Sequence, residues 1–217
     1  MIRAAALVAM APAITAVWVG VQLPERVAVL DNSTVTVTRL HFAAGVAETL
    51  HTHPYPLLIV QLTAAAIEVS NREVIRVGSR PGETWFIPAN TRHAAVNRSG
   101  ASVDLLGIAI KPARQPAPAA PATEAPPGIS RATLIDNDDV RVVRVRFSPE
   151  GREPVHSHPN DLLTIQITKG RVEILDGSAR STRDCEPGFV HFLARNVSHS
   201  YASADTNPFE LLSVSIK

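Results

Sequence analysis

The chain has little cysteine, few aromatics and almost no net charge, and each scarcity removes a class of function. Cys185 is the only cysteine in 217 residues, which excludes an internal disulfide. A lone cysteine is expected to be buried as a small apolar residue; the alternative is an exposed thiol that bridges two chains. Basic residues number 21 and acidic residues 20, and aromatics make up 5%. With no basic stripe and no aromatic-rich groove, nucleic acid is not an expected partner. There is no Gly-x-Ser-x-Gly elbow, no Cys–His pair at a sensible spacing and no glycine-rich phosphate loop. Helical periodicity is also missing. At 45% hydrophobic and 19% charged residues, the remainder is nonetheless globular in composition.

One long apolar run exists, at the N-terminus. Arg3 is the only charge before Glu25, and Ala4 to Val21 is apolar or small, broken by Pro12. A basic start followed by an apolar run is an export signal pattern, so residues 1–22 read as a signal peptide and the protein as periplasmic or secreted. An uncleaved membrane anchor is the rival reading, and that segment is the only expected contact with a membrane.

Histidine is plentiful and patterned. His51-Thr52-His53-Pro54 returns as His156-Ser157-His158-Pro159, and each string is followed about 40 residues later by one more histidine, His93 or His199. Six of the eight histidines fall in this constellation, repeated at an offset of 105 or 106 positions. The repeat extends to the flanks. Leu30-Asp31-Asn32 answers Ile135-Asp136-Asn137, and Leu58 to Thr63 answers Leu163 to Thr168. The stretch from Leu105 to Lys111 likewise answers Leu211 to Lys217. Two copies of one domain are therefore expected, at 23–111 and 129–217, each able to hold a divalent metal. Between them, 112–128 is rich in proline and alanine. Proline fixes φ and removes a donor, so the segment reads as an extended linker.

Each copy reads as short strands. Val35 to Phe42 and Arg141 to Phe147 alternate β-branched and polar residues, the period of a half-buried strand. Gly, Pro and Asn punctuate at roughly ten-residue intervals, which predicts an antiparallel sandwich or barrel.

At this point a family becomes visible. Gly45, five residues, then His51-Thr52-His53 resembles the first motif of the cupins. Gly82, Pro88, Asn90, His93 and Asn97 resemble the second, with Asn90 where the motif has glycine. The second copy is looser. Gly151 stands one residue closer to its His-x-His, and Ala194, Asn196 and Ser203 replace the motif's proline, glycine and asparagine. The chain thus resembles a bicupin. The resemblance implies an all-β fold of two antiparallel jelly-roll (double-stranded β-helix) barrels in tandem. It also implies two metal sites, His51, His53 and His93 in the first barrel and His156, His158 and His199 in the second. Imidazoles suit Fe, Zn, Mn, Ni or Cu, and the sequence does not choose among them.

Cupins typically carry a glutamate ligand four residues after the second histidine. Leu57 and Leu162 stand there, so both copies have lost it. Asp161 lies one residue early and is expected to point away. Three-histidine sites are known in the cysteine and gentisate dioxygenase groups, so the loss does not exclude activity. A site of neutral ligands keeps the ion's full charge and leaves more coordination positions open, which favours an anionic or bidentate ligand, or a bound water.

Strand parity aims Gln61 and Gln166 into the barrels with Leu57 and Leu162. There each amide could orient a histidine, contact a ligand or bond nearby backbone. His191, which matches Trp85, could reach the second cavity. His41 reads as a surface residue. Tyr55 and Tyr201 face Asn160 and Ala95 in the other copy and could distinguish the two pockets. Three functions follow: a non-haem metal oxygenase on a small, anionic organic compound; a module that binds a small molecule or metal without turnover; and a structural role in a homo-oligomer. The second gains from the apparent lack of a general base near the histidines.

Overall fold

The computed structural model describes residues 22–71, 75–112 and 125–217. The leader and most of the proline-rich segment lie outside the described residues. The first copy forms eight strands: β1 (Glu25–Asp31), β2 (Val35–Phe42), β3 (Leu57–Gln61), β4 (Ile67–Asn71), β5 (Ile75–Gly78), β6 (Thr84–Ile87), β7 (His93–Val96) and β8 (Val103–Ile110). The second forms β9 (Ile129–Asp136), β10 (Val140–Phe147), β11 (Asp161–Gln166), β12 (Gly170–Asp176), β13 (Ala179–Cys185), β14 (Val190–Leu193), β15 (His199–Ser203) and β16 (Phe209–Ile216). No helix occurs among the described residues.

Each copy is a five-stranded sheet facing a three-stranded one. In the first, the orders are β1-β2-β8-β3-β6 and β5-β4-β7. In the second they are β9-β10-β16-β11-β14 and β13-β12-β15. All pairings are antiparallel. This is the expected pair of jelly rolls.

The apolar run Leu57-Leu58-Ile59-Val60 is buried throughout because both faces of its sheet are covered. Leu58, Val60, Leu106 and Ile108 point outward, into a shared core with Leu163, Ile165, Leu212 and Val214 of the second copy. Leu40, Phe42, Leu57, Ile59 and Leu105 point inward, into the barrel. The two five-stranded sheets therefore pack back to back, and each barrel keeps its own interior. A buried hydrogen bond crosses the seam, from Thr34 Oγ1 to Asp161 Oδ2 at 2.8 Å.

The repeated Asp-Asn pairs shape the turns between first and second strands. Asn32 Oδ1 accepts the N–H groups of Thr34 and Val35, and Asn137 Oδ1 those of Asp139 and Val140. The terminal lysine of each copy bonds the neighbouring aspartate, Lys111 to Asp31 at 2.7 Å and Lys217 to Asp136 at 2.6 Å. Cys185 is buried and free, and burial raises its thiol pKa.

Candidate metal centre

The two histidine strings lie outside the named strands. They precede β3 and β11, and a single antiparallel bridge ties His51 to His93 and His156 to His199. The second histidine of each string is held from the other side. Asn90 N–H donates to the His53 carbonyl at 2.8 Å, and Asn196 N–H to that of His158 at 2.7 Å. Both asparagines adopt positive φ, 59° and 62°. Asparagine tolerates that region better than other residues bearing a Cβ, so the turn survives without glycine. Fully buried Asn97 spans three carbonyls, those of Phe42, Ala43 and Ala101, and braces the end of β7. Ser203, its counterpart, donates to the Asp205 carbonyl at 3.0 Å and accepts from the Asp205 N–H at 3.4 Å, so it stays within its own turn.

The three imidazoles of each copy converge. Their candidate ligand atoms lie within 4.8 Å of one another, in both groups. In four of the six, Nδ1 faces a backbone carbonyl two residues earlier: His51 to Thr49 at 2.7 Å, His93 to Thr91 at 3.0 Å, His156 to Pro154 at 2.9 Å and His199 to Val197 at 3.1 Å. A carbonyl only accepts, so Nδ1 must carry the proton and Nε2 the lone pair. A second partner of this kind fixes both the tautomer and the orientation of a metal-binding imidazole. The Nε2 atoms of His51 and His53 are 3.0 Å apart. Two nitrogens about 2.1 Å from one ion and at right angles to each other would show about that separation.

Electrostatics point the same way. Burial first, then the neighbouring imidazoles, push the pKa of His53, His158 and His199 down to about 4. Burial also lowers that of His93. These rings are therefore neutral at pH 7, the form that binds metal. The donor set fits a divalent transition metal.

Below His53 and His93 the first barrel contains a cavity of about 260 Å³. Its wall is mostly apolar, with Leu40, Phe42, Leu57, Ile59, Ile87 and Leu105 among its residues. Leu57 thus faces inward where a typical cupin places its glutamate, and Leu162 is correspondingly buried in the second barrel core. Asp161 points away, accepting from Thr34 Oγ1 and from Arg195 N–H at 2.9 Å.

Gln61 and Gln166 are buried but bond the backbone. Gln61 Nε2 donates to the Thr63 and Ala65 carbonyls at 2.7 and 2.6 Å, and Gln166 Nε2 to that of Thr168 at 2.8 Å. Of the roles left open for these amides, turn support is the one observed. His41 is a half-exposed strand residue paired with Asp104. Tyr55 is exposed. His191 bonds Tyr201 and Asp176.

An acid does stand near the histidines, contrary to expectation. Glu48 lines the cavity with His53 and His93, and its charge favours protonation of His93. It pairs with Arg26, also on the cavity wall. The second copy repeats the arrangement, with Arg131 bound to buried Glu153 at 3.0 Å. The signal was present in the sequence: both pairs recur at the same offset of 105 positions, with the glutamate three residues before the first histidine. It falls outside the defining residues of the two cupin motifs.

No family model matches the chain, and no curated protein matches it. Solved structures do. AerE from Microcystis aeruginosa superposes with a TM-score of 0.73 at 12% identity, covering 90% of this chain and 97% of that one. Salicylate 1,2-dioxygenase from Pseudaminobacter salicylatoxidans gives 0.71 at 10% identity, over 89% and 76%. A cupin 2 conserved barrel domain protein from Leptotrichia buccalis gives 0.61 at 16% identity, over 89% of each chain. The fold is that of the cupins, in the two-barrel arrangement. The two three-histidine groups suit metal binding.

Proposed function

We propose that the protein is a metal-binding bicupin whose first barrel acts on a small organic compound as a non-haem metal oxygenase. One observation carries this reading: the cavity opens directly onto His53 and His93, so a molecule inside it would sit against the ion. A bound divalent metal would supply Lewis acidity and coordination positions where substrate and dioxygen can meet. Dioxygenation places both oxygen atoms in the substrate and needs no external reductant. The chain's own residues do the rest. The apolar wall excludes water and fits a hydrophobic body. Arg26 offers a guanidinium to an acidic group, and Glu48 holds that guanidinium at the rim. The structural likeness to a salicylate dioxygenase supports this substrate class without defining it. Residues 1–22 we read as an export segment, which cell fractionation of the tagged full chain would test.

The direct experiment has two arms. Metal content is measured on protein purified without added metal, and oxygen uptake is followed on a panel of single-ring carboxylic acids. Uptake by the wild type that His53→Ala abolishes supports the oxygenase. Tight metal and ligand binding with no uptake supports a binding module, a reading favoured by Leu57 and Leu162 at the glutamate positions. A chain that takes up no divalent metal ends both.

A further inference from the structure

The two barrels share histidines and turns but not interiors. The registers of β3 with β6 and of β11 with β14 place Ile59 beside Trp85 in the first barrel and Thr164 beside His191 in the second. The pairings of β4 with β7 and of β12 with β15 place Val69 beside Ala95 and Ile174 beside Tyr201. Ile59, Trp85 and Ala95 of one copy thus correspond to Thr164, His191 and Tyr201 of the other. By the same register Asn71 corresponds to Asp176.

The second set forms one chain of hydrogen bonds. Asp176 Oδ2 lies 3.1 Å from His191 Nε2, His191 Nδ1 lies 2.8 Å from the Tyr201 hydroxyl, and that hydroxyl lies 2.9 Å from Thr164 Oγ1. Tyr201 is only 4% exposed, and its ring packs edge-on to His199. It belongs to the second barrel's core with Phe147, Leu162, Leu193 and Leu211. In the first barrel, the corresponding Ala95 lines the cavity together with Gly107 and Ala109. The register puts Ser213 and Ser215 at the places of those last two. Among the residues that line the first cavity, the exchanges Ile59 to Thr164 and Leu40 to Val145 go the other way; Trp85, which His191 replaces, is not on that wall. Those two exchanges remove far fewer atoms than a tyrosine adds over an alanine.

We propose that the barrels have divided their work: Tyr201, locked by the Asp176–His191–Tyr201–Thr164 chain, seals the second barrel against organic ligands, while Ala95 keeps the first barrel open to them. Tyr201 and Ala95 are the specificity-determining residues. The second set of histidines serves to hold an ion alone. The first barrel takes a single-ring molecule, since an engineered apolar cavity of about 150 Å³ already accommodates benzene and this one measures about 260 Å³. The inference deepens the reading of the first barrel as the organic-ligand site but rests on cavity shape, so it can be tested without the metal.

The probe is xenon, which enters dry apolar cavities. Crystals of the full chain, metal-free and zinc-loaded, are pressurised with xenon and the sites located by anomalous scattering. The expected result is a xenon in the first barrel beside Ala95 and Ile59 and none inside the second, in both metal states. Ala95→Tyr should remove the first site and Tyr201→Ala should create one in the second barrel. Ala95→Leu, a milder filling, should reduce first-site occupancy at least several-fold if the larger exchange impairs folding. Xenon inside the wild-type second barrel would overturn the proposal, as would a first-barrel site that survives both Ala95 variants. If the chain proves unable to bind metal, the xenon pattern is unaffected, so the two readings fail separately.

Discussion

His51 and His93 exchange both backbone hydrogen bonds, at 2.9 Å in each direction, and His156 and His199 do the same at 3.0 and 2.8 Å. Residues paired in this way across an antiparallel ladder present their side chains on the same face. The bridge therefore delivers two imidazoles together and leaves only the third, His53 or His158, to be set by its turn. Each triad is a separate unit within its own barrel. Wild-type protein should bind two divalent ions per chain, and His93→Ala or His199→Ala should each lower that by one without emptying the other site. Elemental analysis after dialysis against limiting metal checks this; a single variant that lost both ions would show that the sites are coupled.

Acid should destabilise the metal-free protein over a defined window. His53, His158 and His199 titrate near 4 in the folded chain, against an ordinary 6.5, chiefly because they are buried. Their folded pKa is depressed, so below 6.5 the unfolded chain binds protons that the folded chain refuses. Stability is whole above pH 6.5 and declines as pH falls from 6.5 through 4. Urea unfolding of the apo-protein at several pH values should show that slope, and it should flatten in the triple variant of these histidines to glutamine. Protons also compete for the ligand nitrogens, so metal should leave over the same range.

The Arg26–Glu48 pair bears on the ion rather than on the fold. The Arg26 side chain is 51% exposed and the Glu48 side chain 9%, so solvent screens the pair from the arginine side and its contribution to stability is about 1 kcal/mol. Glu48 is nevertheless a carboxylate on the wall of a cavity whose metal ligands are all neutral. Glu48→Gln keeps the shape and removes the charge. We expect metal affinity in the first barrel to fall about tenfold, the lower end of what outer-shell changes produce, with thermal unfolding nearly unchanged. Competition with a chromogenic chelator measures the first and calorimetry the second; unaltered affinity would remove Glu48 from the site.

What could be read from the sequence was whatever repeats along the chain. The doubled His-x-His follows from spacing, the turn asparagines from the resemblance to the cupin motif, and the inward Leu57 from strand parity. The recurrence of Arg26 and Glu48 as Arg131 and Glu153 is written in the repeat, but their pairing is not, because β1 carries the arginine and the loop after β2 carries the glutamate, and only the folded sheet joins them. The chain from Asp176 to Thr164 is likewise spread over four strands, and its members become neighbours only once the register is known. Parity correctly placed Gln61 on the same face as Leu57, yet its position along β3 carries it past the cavity to the turn at Thr63. Periodicity gives the face of a residue but not its depth in the barrel.

Gly78 is fixed by what packs against it. A Cβ there would fall 2.1 Å from Trp85 Cη2 and 2.2 Å from Gln61 Oε1. Trp85 is 6% exposed and Gln61 fully buried, so neither can swing away. Gly78→Ala should destabilise the protein by about 1–3 kcal/mol, the usual cost of overpacking a core. Equilibrium denaturation measures it, and a change within error of zero would show that β5 shifts freely to make room.

Asp161 tests the seam between the barrels and the ligand assignment together. Its carboxylate accepts from Thr34 Oγ1 at 2.8 Å and from Arg195 N–H at 2.9 Å, and it is 8% exposed. Replacing it by alanine would strand a buried hydroxyl and a backbone donor, at a cost of about 1–3 kcal/mol. Thr34 belongs to the first copy, so the carboxylate is turned toward the seam and not into the second barrel. Asp161→Ala should therefore lower the urea midpoint while leaving two metal ions per chain. The opposite outcome, unchanged stability with one ion lost, would put the carboxylate inside the second barrel and restore a fourth ligand there.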